Sequence, residues 1–392
     1  MKLGTQNRCP SRPALVLVAV IVFLSTAVGL TYTNYSDSLR LTPSTHLQKP
    51  LDKTVLKGTK EERDALRQEF IEKTLSSHMK VDSPSYDANG ELASKLSTTD
   101  PKWSKAMGSS LCIIDLDNRP FTDPYQIFGP KLMSWDHQKE VHGLSVGFLN
   151  HWLYAKIHGY KYYYVQVDSF KDRRASWKKP SVISEILKNH ETCIYLDSDA
   201  IFDRLDLPFE WLMNYWDIHP KTNSLAMASD PDLSHNRDKF GKLYLNTGFI
   251  VAQNNKKTHE ILRAWEVCPD DGGEHPGCTR WRVNMPGSPT DQGGFGNFIR
   301  YDYAGDIKEL PCSEANGFPQ SRTNCQGKFI KHLWTGKDRG MKFFVEKQIP
   351  GNLLELFHEQ FSEEKGSFFL EEKQLMAGSG QGKRTRSASY RA

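Results

Sequence analysis

The sequence predicts an α/β domain built on a mostly parallel sheet, because apolar runs of strand length alternate with segments of helical period. The run LCIIDL at Leu111–Leu116 precedes a helix from about His142 to His158, and the strand YKYYYVQVD ends at Asp168. A second helix, roughly Pro180 to Lys188, leads into the apolar strand Cys193–Leu196. This strand-helix-strand-helix-strand order is typical of parallel sheets with right-handed crossovers.

Later segments extend the same architecture. Strands are predicted at Ser224–Ala228 and Gly248–Val251, followed by a helix at Lys257–Val267. The length of 392 residues, with 38% hydrophobic and 25% charged residues, is typical of a globular chain over most of its length. It allows one large domain or two modest ones.

The N-terminus departs from that composition. Residues 14–32 carry no charge and at helical rise are just long enough to cross about 30 Å of hydrocarbon. Lys2, Arg8 and Arg12 precede them, so the positive-inside rule places the N-terminus in the cytosol and the remainder in a lumen. We predict an uncleaved signal anchor and a single-pass type II Golgi membrane protein. The alternative is a cleaved signal peptide with small residues near Ala27 at its cleavage site.

Composition divides the rest of the chain. A cytosolic leader at 1–13 precedes the anchor, and the polar segment 33–105 is interpreted as a luminal stem. The folded domain is predicted at 106–375, followed by a disordered basic tail at 376–392. The net charge of +4 comes from the leader and the tail, so no surface for nucleic acid is implied.

The seven cysteines are compatible with an oxidising lumen. Cysteines flank the Gly/Pro/Asp-containing loop Cys268–Cys278 and the loop Cys312–Cys325, so two local disulfides are predicted. A zinc site is the alternative for these four residues, although no Cys-x₂-Cys spacing supports it. Cys112 and Cys193 lie in apolar runs and are interpreted as buried thiols.

Three Asp-x-Asp pairs are candidates for a metal site. Asp197 and Asp199 follow the apolar strand in CIYLDSDAIF, and ligands of open α/β sheets bind beyond the carboxyl ends of strands. Two such carboxylates suit Mg²⁺ or Mn²⁺ held against a diphosphate, because hard cations take carboxylate and phosphate oxygens. Asp230 and Asp232 flank a proline in a polar loop, which is most simply a turn.

The third pair, Asp115 and Asp117, ends the first strand in DLDN. This stretch resembles the motif of haloacid-dehalogenase phosphatases, in which the first Asp is a nucleophile. That motif requires Thr two residues after the second Asp, where this chain has Arg119. A metal-dependent phosphatase is therefore the least favoured alternative.

Four segments form a recognisable set: NHWLYAKIHGYKYYY at 150–164, WKK at 177–179, YLDSDAIF at 195–202 and LNTGFIVAQN at 245–254. Together they resemble glycosyltransferase family 34, which contains fungal α-galactosyl- and mannosyltransferase subunits and plant xyloglucan α-xylosyltransferases. The resemblance covers about 111–340 and implies a GT-A type nucleotide-diphospho-sugar transferase domain. It also implies metal-dependent transfer of a hexose or pentose from a UDP- or GDP-sugar to a glycan or glycoprotein, with retention of anomeric configuration.

The resemblance also implies roles for individual residues. Asp197 and Asp199 would bind the donor's metal ion, Mn²⁺ or Mg²⁺, and His332 would be the third protein ligand, with a structural histidine as the alternative. Asp291 and Gln292 would lie under the anomeric carbon, near the acceptor, unless they form only a turn and a helix cap.

Contacts to the nucleotide-sugar would come from a further set of residues. In chain order they are Asp115, Lys178, Asp197, Ser198, Asn246, Thr247, Gly248, Gly336 and Lys337. Gly248 would let the backbone approach the sugar closely. Lys178 or Lys179 would add to the positive charge that neutralises the leaving diphosphate, and a solvated helix start is their alternative interpretation.

Two questions stay open at the level of sequence. Retention is compatible with same-face attack by the acceptor or with a covalent intermediate on Asp291. The domain is interpreted as an enzyme, and the alternative is an inactive GT-A subunit of a Golgi glycosyltransferase complex. Intact acids and His332 favour the enzyme.

Overall fold

The structure is a computed structural model that describes residues 58–75, 79–87, 93–219, 221–283, 290–317 and 319–378. The predicted leader, the membrane anchor and nearly all of the basic tail lie outside these residues. Among the described residues, no helix combines the length and the apolar character needed to span a membrane. The chain divides into two units, and the unit beginning at Thr59 contains all the elements below.

Eleven strands and eleven helices make up the described fold. The strands are β1 Ser85–Tyr86, β2 Ser94–Lys95, β3 Leu111–Asp117, β4 Lys161–Gln166, β5 Thr192–Leu196, β6 Ala200–Phe202, β7 Leu225–Ser229, β8 Leu245–Gln253, β9 Ile307–Leu310, β10 Ile330–His332 and β11 Phe369–Glu371. The helices are α1 Lys60–Phe70, α2 Gly143–His158, α3 Lys179–Leu187, α4 Phe209–Tyr215, α5 Lys256–Val267, α6 Thr290–Gly294, α7 Arg300–Asp302, α8 Cys312–Ala315, α9 Lys337–Gln348, α10 Leu353–Glu364 and α11 Glu372–Gly378. Single π-helical turns at Ile71–Leu75 and Phe295–Ile299 continue α1 and α6.

A seven-stranded sheet with the order β11-β4-β3-β5-β8-β7-β9 forms the centre of this unit. Four of its neighbouring pairs are parallel, and β8 runs antiparallel to both β5 and β7. The predicted α/β class with a mostly parallel sheet is therefore confirmed. Each strand and helix predicted between residues 111 and 267 is present, with small shifts of its ends.

The continuous apolar runs of the central strands reflect burial on both faces of the sheet. All seven residues of β3 and all nine of β8 are buried. Alternate side chains of β3 enter two separate cores, Ile113 on the side of α2 and Ile114 on the side of α3 and α5. Helix α2 lies against the sheet and also contacts α9 and α10, which explains why it is apolar around most of its circumference.

Three disulfides stabilise the domain. Bonds within Cys268–Cys278 and Cys312–Cys325 confirm the two predicted local disulfides. The interpretation of Cys112 and Cys193 as thiols is wrong, because these residues also form a disulfide. Parallel pairing of β3 with β5 places the two cysteines directly opposite each other, with 4.5 Å between their Cα atoms, although 81 residues separate them in sequence.

Part of the segment predicted as stem packs on the folded domain. Arg63 and Arg67 of α1 both donate hydrogen bonds to Glu359 on α10, at 2.9 and 3.1 Å. Further along, the indole nitrogen of Trp103 donates to the Ile218 carbonyl at 2.9 Å. Part of the segment that was predicted to be a stem therefore belongs to the surface of the folded domain.

Candidate functional site

A cleft of about 770 Å³ lies at the carboxyl ends of β3 and β5, a size typical of ligand sites. Most of the predicted site residues line it. These are Asp197, Ser198, Asp199, Asn246, Thr247, Gly248, Asp291, Gln292, His332 and Lys337.

Three potential metal ligands converge in this cleft. Asp197, Asp199 and His332 each offer one ligand atom, and these atoms lie within 4.8 Å of one another. The two acids follow β5, whereas His332 ends β10, which pairs antiparallel with β6 and places His332 opposite Ala200. His332 Nε2 thus lies 3.2 Å from Asp199 Oδ1. Two carboxylates and one imidazole are a donor set that suits Mn²⁺.

The orientation of the imidazole fits metal binding. His332 Nδ1 lies 2.9 Å from Asn316 Oδ1, and Asn316 Nδ2 donates to the Ser229 carbonyl at 3.1 Å. Because the amide presents its oxygen to the ring, Nδ1 carries a proton. This is the usual arrangement of a metal-binding histidine and its outer partner. Nε2 faces Asp199 Oδ1 at 3.2 Å and donates a proton to it, so a cation that binds here would displace that proton and take the Nε2 lone pair.

Glycines permit the close packing around the two acids. A Cβ atom on Gly248 would clash with His332 Cε1 and would lie 2.9 Å from Asn246 Oδ1. Below the site, a Cβ on Gly147 of α2 would clash with the Ser198 carbonyl. Sequence reasoning identified Gly248 but not Gly147, whose signal was only a small residue within an apolar helix.

A buried lysine links the metal-site acids to Asp291. Lys179 Nζ lies 2.9 Å from Asp197 Oδ1 and 3.4 Å from Asp291 Oδ2, and it donates to the Thr247 carbonyl at 3.0 Å. The prediction that Lys178 binds the donor is not supported, because Lys178 pairs with Glu372 outside the cleft. The next residue, Lys179, begins α3, and it is this lysine that extends into the cleft beside Asp197.

Electrostatics keep the cleft carboxylates ionised. Burial raises the pKa of Asp199, but His332 and Lys337 outweigh burial and hold it well below its usual range. Burial also raises the pKa of Asp291, but Lys179 and hydrogen bonds from three hydroxyl groups have the larger effect. The pKa of Asp291 is therefore below its usual value. Both acids therefore carry negative charge at neutral pH.

The prediction that Asp115 contacts the nucleotide-sugar is not supported either, because Asp115 lies in the core and does not line the cleft. Its carboxylate is fully buried, 2.7 Å from His151 Nδ1, and accepts a hydrogen bond from the Tyr162 hydroxyl at 2.6 Å. Asp117 reaches the cleft because it is the last residue of β3, whereas Asp115 lies one pleat deeper. His151 in turn contacts the Ala200 carbonyl at 2.8 Å, so Asp115 supports β6 from beneath.

Gly336 also lies outside the cleft lining. It has φ of 62° and precedes α9, so it forms the turn from which Lys337 extends into the site. Lys337 Nζ lies 3.1 Å from Asp199 Oδ2. Three residues separate His332 from this glycine, and with this spacing the lysine lies beside the metal site.

Residues 134–277 match the model of the galactosyl transferase GMA12/MNN10 family, glycosyltransferase family 34. This segment contains Asp197 and Asp199 and ends before Asp291 and His332. The chain is a glycosyltransferase that resembles family 34. The predicted resemblance is confirmed, and with it the assignment as an enzyme that transfers sugar. The family implies a nucleotide-sugar donor and a glycan acceptor.

None of the curated proteins matches this sequence, whereas similar solved structures exist and include the following two. One is a glycosyltransferase involved in the glycosylation of the major capsid of PBCV-1, at 12% identity and a TM-score of 0.41, covering 60% of this chain and 98% of that one. The other is mouse xyloside xylosyltransferase 1 in its apo form, at 10% identity and a TM-score of 0.34, covering 58% and 98%.

The packing of Gly248 gives a test of the candidate metal site. We expect Gly248→Ala to displace His332 and to weaken Mn²⁺ binding by about tenfold or more, as measured by isothermal titration calorimetry. Gly305→Ala is the matched control, because a Cβ there would meet no described atom within 4 Å. Equal Mn²⁺ affinities for the two variants would contradict the placement of His332.

Proposed function

We propose that this glycosyltransferase depends on a divalent cation, Mn²⁺ or Mg²⁺, and transfers a hexose or pentose from a UDP- or GDP-sugar to a glycan or glycoprotein. The convergence of Asp197, Asp199 and His332 at the carboxyl end of β5 carries this proposal. Their ligand atoms approach closely enough to share one cation. Asp199 and His332 are buried and Asp197 is half-buried, and the cleft that they line is large enough for the donor.

The charge distribution of the cleft supports an anionic donor. A bound cation would supply positive charge that stabilises the leaving diphosphate without a proton transfer. Lys337 is half-exposed beside Asp199 and can contact the same diphosphate. Arg119, Arg173 and Arg174 also line the cleft, and Arg119 Nη2 lies 3.3 Å from Oγ of Ser198, which lies between the two metal-site acids in sequence. Arg119 pairs with Asp117 and Arg173 pairs with Asp270, so carboxylates of the protein partly neutralise these cations when no donor is bound.

Retention by same-face attack is the mechanism we favour. Asp291 Oδ1 accepts a hydrogen bond from Thr290 at 3.0 Å, and Oδ2 accepts one from Thr247 at 2.9 Å. With Lys179 also beside Oδ2, neither oxygen is placed as an unhindered nucleophile. This supports attack by the acceptor on an oxocarbenium-like centre, with its proton passing to the leaving phosphate. Asp291 and Gln292 then shape the sugar site by their charge and hydrogen bonds.

An oxidising, luminal compartment is part of the proposal. Three disulfides in the described domain support it, because such bonds are rare in reducing compartments. Together with the uncharged segment at 14–32, which lies outside the described residues, they favour a single-pass type II membrane protein, which we propose to lie in the Golgi. Assembly with other glycosyltransferases is implied by the family resemblance alone.

Membrane topology can be tested with the full chain translated in the presence of microsomes. We expect the domain to resist added protease until detergent opens the vesicles, and the chain to stay with the membrane after carbonate extraction. Complete digestion without detergent would contradict a luminal domain. Release of a shortened chain by carbonate would instead indicate a cleaved signal peptide.

Donor turnover is the direct test of the enzymatic proposal. We expect the full chain to release nucleotide slowly from one member of a panel of UDP- and GDP-sugars when Mn²⁺ or Mg²⁺ is present, and EDTA to abolish the release. Asp199→Asn should lower the rate by about a hundredfold, because it removes a ligand charge at the cation. The exposed Asp136→Asn is the control and should behave as wild type. Metal-independent turnover, or full activity of Asp199→Asn, would contradict the proposed mechanism, and a folded protein that binds no nucleotide would favour the inactive subunit.

A further inference from the structure

Asp230 is a buried acid that the sugar-transfer mechanism does not use directly. It follows β7, its side chain is buried, and it does not line the cleft. Its backbone nitrogen donates to the Tyr244 carbonyl at 2.9 Å, which fixes the start of the loop. The simple turn predicted from Asp230 and Asp232 does not account for this burial, because a buried carboxylate needs hydrogen-bond donors around it.

Three amide side chains surround the Asp230 carboxylate. Asn246 Nδ2 donates to Oδ1 at 2.8 Å, and Gln292 Nε2 donates to Oδ2 at 2.6 Å. Asn316 Nδ2 lies 3.4 Å from Oδ1, in addition to its bond with the Ser229 carbonyl. The three amides come from β8, from α6 and from the segment after α8, so a single carboxylate joins three parts of the chain.

This arrangement fixes the direction of every amide. An ionised carboxylate only accepts hydrogen bonds, so each amide must turn its NH₂ group towards Asp230 and its carbonyl oxygen away from it. The carbonyl oxygens then accept from the walls of the cleft. Asn246 Oδ1 accepts from the Gly248 nitrogen at 2.7 Å, and Gln292 Oε1 lies 3.3 Å from the Thr247 nitrogen.

The third amide reaches the candidate metal site. Asn316 Oδ1 lies 2.9 Å from His332 Nδ1 and so directs His332 Nε2 towards Asp199. Hydrogen bonds therefore connect the Asp230 carboxylate with three parts of the site. These are the backbone of β8, the helix that bears Asp291 and the imidazole of His332. Two hydrogen bonds in series link Asp230 to the β8 backbone and to the imidazole, and one links it to the helix that bears Asp291.

We propose that Asp230 is a positioning residue for sugar transfer, one that orients Asn246, Gln292 and Asn316 and through them the donor and metal sites. This role rests on the proposed function of the cleft. The positioning role requires a side chain at position 230 that only accepts hydrogen bonds. An amide of the same shape would bring its NH₂ group against one of the three donors. Gln292 is the contact most readily lost, because Oδ2 has one donor and Oδ1 has two.

The test compares Asp230→Asn with a reciprocal exchange. In the double variant Asp230→Asn/Gln292→Glu, the new amide at 230 donates to the new carboxylate at 292, which still accepts from the Thr247 nitrogen. The total charge and the number of hydrogen bonds are unchanged. We expect Asp230→Asn to lower kcat for donor turnover by about tenfold or more per folded molecule. Because Gln292 itself lines the cleft, the double variant is compared with Gln292→Glu alone and should turn over donor faster than that single variant, which brings two carboxylates together.

Asp232→Asn is the matched control, since Asp232 is exposed two residues later and pairs with Arg237. Its kcat and melting temperature should equal those of wild type. An unchanged kcat for Asp230→Asn, or a double variant whose kcat is no higher than that of Gln292→Glu alone, would overturn the positioning role. Wild-type turnover is measured in the same assay, so a failure of the proposed function shows in the wild-type protein and not only in the variants.

Discussion

The antiparallel pairing of β6 with β10 is the interaction on which the candidate site depends. It brings His332 to Asp199 across 133 residues of sequence, and backbone hydrogen bonds hold the two together, including one of 2.7 Å from the Leu333 nitrogen to the Asp199 carbonyl. The His332 nitrogen also donates to the Gly317 carbonyl at 2.8 Å, within the region closed by the Cys312–Cys325 disulfide. A ligand on a paired strand is held more rigidly than one on an open loop, and this rigidity preorganises a metal site.

Charge balance is the second constraint. The cleft gathers several carboxylates in a poorly solvated space, where unpaired charges are costly. Lys179 compensates Asp197 and Asp291, whereas Asp230 is compensated by neutral amide donors. Burial raises the pKa of Asp230, and hydrogen bonds from the amides oppose that rise. These two ways of compensating a buried carboxylate have different consequences. Lys179 neutralises the charge of Asp197 and Asp291, whereas the Asp230 carboxylate determines which way its amide partners are oriented.

The sequence predicted the features that depend on neighbouring residues. Strand and helix periods located the sheet, and the end of an apolar strand identified Asp197 and Asp199. Features that depend on distant contacts were missed or misplaced. Nothing local distinguishes Lys178 from Lys179, and the pairing of Cys112 with Cys193 follows only from the register of β3 and β5. Asp230 looked like a turn because its three amide partners come from segments that the sequence alone does not bring together.

The account is tested most directly by anomalous scattering from crystals of the protein grown with Mn²⁺ and UDP. We predict one strong manganese peak at coordination distance, about 2.2 Å, from a carboxylate oxygen of Asp199 and from His332 Nε2, with the diphosphate on its other side. Nucleotide bound in the cleft without manganese at these residues would contradict the central claim. A manganese peak elsewhere, with His332 still bonded to Asp199, would contradict it as well.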